Sequence, residues 1–115
     1  MSADRANYLK RLLKLYGGLP HKAARRPSIY DRRLAAQLFD RGVSLDTLET
    51  AFLLAIARRS QRDPEAPALP AIRSLAYFLP VIEEVLQLPD ALGYLDYLRA
   101  RVEISVQIPA ERRDR

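Results

Sequence analysis

The chain has 115 residues, 49% of them hydrophobic and 29% charged, with a formal net charge of +5 and no cysteine. That length and balance fit one soluble globular domain with its own core, and they exclude disulfides, thiolate metal sites and thiol catalysis. No apolar run reaches the ~18 to 20 residues of a membrane span, and the start MSADRANYLK lacks the apolar stretch of a secretory signal, so a cytoplasmic protein without a membrane partner is expected.

Helical periodicity runs through nearly all of the chain. Ser2 is an N-cap candidate for a first helix reaching about Tyr16, with Tyr8, Leu9, Leu12, Leu13 and Tyr16 in one apolar stripe and Lys10, Arg11 and Lys14 opposite. Gly17-Gly18 is expected to end this helix through a left-handed glycine. Pro27-Ser28 opens a second helix, about Ile29 to Arg41, with Tyr30, Leu34, Ala35 and Leu38 inward and Arg33, Gln37 and Asp40 outward; Gly42 closes it. Ser44 caps a third helix and Asp46 suits its first turn.

The third helix contains AFLLAIA, Ala51 to Ala57. A helix apolar on all sides is enclosed by others, so it is the central one, with Leu48, Phe52 and Ile56 as its main core line. Arg58, Arg59 and Arg62 stand at its end, where the helix dipole favours cations. In RDPEAPALP, Pro64, Pro67 and Pro70 enforce an extended loop. AIRSLAYFLPVIEEVLQL is helical again, and Pro80 kinks it or splits it into a short turn and a longer helix. Pro89-Asp90 caps a last helix from about Ala91 to Glu103, buried through Leu95, Leu98 and Val102. The expected fold is therefore all-α, a compact single-domain bundle of about five helices around a central apolar helix at about residues 45–61. The helical domain spans 1–104, and 105–115 is a frayed tail.

No arrangement of residues suggests catalysis. His21, the single histidine, has no cysteine partner and no serine in a nucleophile elbow. Glu83 and Glu84 are adjacent, but neighbours on a helix point about 100° apart and form a solvated face rather than a shared site. No phosphate-cradling glycine loop is present. The reading is a non-enzyme with no cofactor and no metal. RRLAAQLFDRGVSLDTLETA has the outline of a helix-turn-helix, yet its second helix offers Leu48, Ala51, Phe52, Leu53 and Leu54 where base edges require polar groups. It belongs in the core.

Charge is the informative signal. Met1 to Pro27 holds seven cations against the single acid Asp4, a net +6, so the remaining residues sum to −1. Lys10, Arg11 and Lys14 lie on the wet side of the first helix, Lys22, Arg25 and Arg26 follow in GGLPHKAARRPS, and Arg32 and Arg33 open the next helix. Cations grouped in this way contact phosphates without reading sequence. Tyr16 and Tyr30 flank the loop, placed either to stack on unpaired bases or to pack at the core edge.

Tyr77, Val81 and Val85 in YFLPVIEEV are spaced like the end-motif of the C-terminal domain of DnaD-like bacterial replication-initiation proteins: tyrosine, three residues, isoleucine, three residues, tryptophan. YLKRLLKLYGGLP resembles that family's opening helix and turn, and LFDRGVSLDTLETAFLLAIARR its central helix pair, so the resemblance runs over about residues 8–88. Val85 stands in place of the tryptophan, and Pro80 lies inside the motif. The resemblance implies a helical DNA-associated module of a replication system or mobile element, with DNA and another replication protein as partners. The alternative is a protein–protein adaptor or oligomer subunit whose basic face meets an acidic partner and whose Tyr94, Tyr97 and Phe78 form an apolar contact.

Overall fold

In the computed structural model, residues 2–22, 26–88 and 95–100 are described. Four α-helices occur among them: α1 (Ser2–Gly17), α2 (Ile29–Asp40), α3 (Leu45–Ser60) and α4 (Leu79–Leu86). A one-turn 3-10 helix (Leu75–Phe78) leads directly into α4, and residues 95–100 are also helical. The only β-type pairing among the described residues is an isolated parallel bridge between Lys22 and Ile72. The all-α class expected from the sequence is the observed one. Arg25, Tyr94, Val102 and the tail 105–115 lie outside the described residues.

The helix ends follow from local chemistry. Ser2 stands inside α1 rather than before it as a cap. Gly17 and Gly18 end α1 without the left-handed conformation expected of them; that region is occupied by His21, at φ 68°. Histidine is among the few non-glycine residues enriched there. At the end of α2 the Gly42 N–H donates to the Phe39 carbonyl (2.9 Å) and the Val43 N–H to the Leu38 carbonyl (3.1 Å). With Gly42 at φ 77°, this is a Schellman turn, and buried Val43 and Leu38 supply its apolar contact. Ser44 caps α3 by accepting the Thr47 N–H at 3.1 Å. Pro80 falls in the first turn of α4, where a missing N–H costs nothing, so it separates the 3-10 turn from the helix.

α3 is the centre of the bundle. Seven of its residues are buried, among them Leu48, Phe52 and Ile56 on the expected line. Leu12 and Tyr16 from α1, Ala35 and Leu38 from α2, Leu75 and Phe78 from the 3-10 turn, and Ile82 and Val85 from α4 complete the same core. Leu95 and Leu98 are buried as expected. Phe78 is wholly buried and presents no surface to a partner, which removes it from the apolar contact expected of an adaptor.

The second helix faces as expected, with Ala35 and Leu38 inward and Arg33, Gln37 and Asp40 outward, except in its first turn. Tyr30 is 72% exposed, whereas Asp31 is buried. Asp31 occupies the third helical position, where it forms a capping box: its carboxylate accepts the Ser28 N–H (2.9 Å), and its own N–H donates to Ser28 Oγ (3.1 Å). Its other oxygen accepts the buried N–H of Leu75 at 2.9 Å. One side chain thus starts α2 and holds the 3-10 turn against it. Asp31→Ala should cost about 3 kcal/mol, since it removes two bonds to a charged acceptor and orphans a buried donor. Thermal unfolding followed by circular dichroism checks this; an unchanged midpoint would contradict it.

Candidate nucleic-acid interface

α1 and α2 pack side by side and leave an open groove of about 530 Å³ between them. Lys10 and Lys14 from α1 and Arg32 from α2 line it and are exposed, while half-buried Leu9, Leu13 and Pro27 give it an apolar floor. No acid lines it. Lys10 and Lys14 are one helical turn apart, and Arg32 is carried in by the first turn of α2, whose start the capping box fixes.

Four of the acids are engaged elsewhere. Asp40 pairs with Arg5 (2.9 Å), Glu83 with Arg41 (2.7 Å), Glu84 with Arg58, and Glu49 with Arg99 (2.7 Å). Glu83 and Glu84 therefore diverge, as adjacent helix positions must, and their partner arginines hold both carboxyls below the usual range. Among the described residues, Lys10, Arg11, Lys14, Arg26 and Arg32 make no ion pair.

The other sequence candidates are dispersed. Arg11 and Lys14 also line a second groove of about 560 Å³, but there Asp46, Glu49 and Arg99 stand beside them, so its charge is mixed. Arg33 and Tyr30 lie on a third groove with Asp31 and Gln37, the Arg33 guanidinium 5.9 Å from the centre of the Tyr30 ring. Tyr30 is exposed enough to stack on a base; Tyr16, 3% exposed, is not. Tyr16 instead packs edge-on to Phe78, and burial and Asp31 raise its hydroxyl to about 12. Lys22 is drawn inward as well. Its ammonium lies 4.7 Å over the Tyr16 ring, and burial lowers its pKa. Arg26 is exposed just before Pro27. Of the candidate cations among the described residues, Lys10, Lys14 and Arg32 share one groove, and Arg26 is nearby in the chain.

His21 is exposed and takes no part in the groove; burial and the Arg59 charge lower its pKa. Among the described residues no three histidine, cysteine, aspartate or glutamate side chains gather as a metal site would require. No described helix is long and apolar enough to cross a membrane. Sequence reasoning also missed Arg59 as more than a dipole partner: it donates to Tyr77 Oη (3.1 Å) and to the Pro70 carbonyl (2.9 Å), tying α3 to the following loop. The pair Arg59 and Tyr77 was visible only as two residues eighteen apart. Comparison with family models, with curated proteins and with solved structures found no match to this chain.

Proposed function

We propose that the chain is a non-enzymatic DNA-binding accessory domain of low sequence specificity, which holds the phosphate backbone in the groove between α1 and α2. One observation carries this reading: Lys10, Lys14 and Arg32 meet at a single groove with no acid and no ion pair of their own. Lysine serves phosphate as a point charge and arginine as a planar fork. The groove presents no array of polar side chains for base edges, so contacts would position the nucleic acid rather than read it. Tyr30 is exposed enough to stack on an unpaired base, but it borders a different groove and lies about 160° round α2 from Arg32. The DnaD-like resemblance supports placing the domain in DNA replication or a mobile element in the cytoplasm, alongside another replication protein.

The test is a titration of the whole chain with single- and double-stranded mixed-sequence DNA at two salt concentrations. Three engaged cations give a slope of log affinity against log salt of about −3 on duplex, and a shallower one on single strands. Absence of binding at low salt would overturn the reading. It would leave the adaptor, for which Tyr97, Leu86 and Leu88 are among the exposed apolar residues.

A further inference from the structure

A further open cavity, of about 280 Å³, lies at the C-terminal end of α3 and shares no lining residue with the α1–α2 groove. Arg58, Arg59 and Arg62 line it together with Leu69, Tyr77 and Val81, and among the described residues no acid does. Arg58 is committed to Glu84. Arg59 is held rigidly, by its bonds to Tyr77 and Pro70 and by the Tyr77 ring 5.6 Å away. Arg62 contributes one bond to the Pro67 carbonyl (2.8 Å) and retains further donors. The dipole at the end of α3 offsets about half a charge, so Arg59 and Arg62 leave the cavity positive.

We infer that this cavity binds a small carboxylate carrying an apolar body. A carboxylate presents two acceptor oxygens along one edge, matched to guanidinium donors, and its remaining surface can be apolar. Leu69, Val81 and the Tyr77 ring suit that second part. Phosphate and sulfate seek donors on every side and would press their remaining oxygens against these walls. The volume is near the lower end of small-molecule pockets, about 300–1,000 Å³, which limits the ligand to a compact acid.

Hexanoate is a suitable probe, with hexanol and inorganic phosphate as its two halves. In NMR titrations of the whole chain, hexanoate should shift the methyl signals of Ala55, Leu69 and Val81 saturably, at least tenfold more tightly than either control. Arg62→Gln should weaken it about tenfold. Leu69→Trp, at a position 40% exposed and therefore tolerant of bulk, should fill the mouth and abolish binding while the remaining spectrum reports an intact fold. Equal affinity for hexanoate and hexanol, or binding that persists unchanged in Leu69→Trp, would overturn the inference. Neither outcome bears on DNA binding, because the two sites share no lining residue.

Discussion

Phe52→Ala is expected to cost about 4 kcal/mol, within the range of buried aromatic truncations. Phe52 is 1% exposed at the middle of α3, and its ring lies edge-on to Phe78 with centroids 4.9 Å apart. Phe78 meets Tyr16 edge-on in turn, at 6.2 Å. Three rings in contact join α3, the 3-10 turn and α1. Truncating the middle of α3 forfeits both the transfer energy and the edge-to-face pairing, and the helices around it cannot close the space. A domain of this size has a total stability of about 5–15 kcal/mol, so the loss would be a large fraction of it. Leu48→Ala and Ile56→Ala should cost roughly 2–5 kcal/mol each. Tyr30→Ala, at an exposed position, should stay within about 0.5 kcal/mol of wild type. Urea midpoints decide; a Phe52→Ala midpoint equal to that of Tyr30→Ala would contradict the placing of the core.

Reversing the groove charge, Lys10→Glu with Lys14→Glu and Arg32→Glu, should lower DNA affinity about a thousandfold at 50 mM salt. The estimate is three lost contacts, each worth roughly one decade at that ionic strength. The salt slope should flatten by about three units with them. Stability should change by less than about 0.5 kcal/mol, because these side chains leave no ion pair behind and glutamate is as good a helix former as lysine. Arg11→Glu and Arg33→Glu are the informative controls, since each side chain faces a groove that already contains an acid. A triple variant that binds like wild type, or controls that lose as much as it does, would remove the groove from the account.

Helix boundaries were legible because their signals are local. Ser28, Ser44, Gly42 and Pro80 each act on backbone within a few residues of themselves, and each does so in the structure. The core line of α3 was legible because periodicity alone determines which side of an enclosed helix faces inward. The facing of the first turn of α2 was not. Periodicity counts Tyr30 as apolar and Asp31 as polar, and nothing near Asp31 announces that the N–H of Leu75, 44 residues onward, will need its oxygen. The candidate site failed in a related way. Lys10 and Arg11 are neighbours in sequence, yet about 100° apart around α1, and α2 borders one groove while α3 borders the other. Pairing across the fold is equally hidden, because Arg41 with Glu83 and Arg99 with Glu49 join elements 42 and 50 residues apart.

The bridge between Lys22 and Ile72 bears on the order in which the molecule folds. Its bond runs from the Ile72 N–H to the His21 carbonyl at 2.7 Å, and Ile72 is almost wholly buried. Closing a free loop of roughly fifty residues carries an entropy cost of about 3.5 kcal/mol beyond a constant, more than one hydrogen bond returns. The proline-bearing segment therefore has no reason to dock early. Once α1, α2 and α3 have packed, the two ends already lie close together and that cost has been met by apolar burial. The segment is expected to close after those helices have packed, and faster hydrogen exchange at the Ile72 N–H than at the amides of α3 would bear this out.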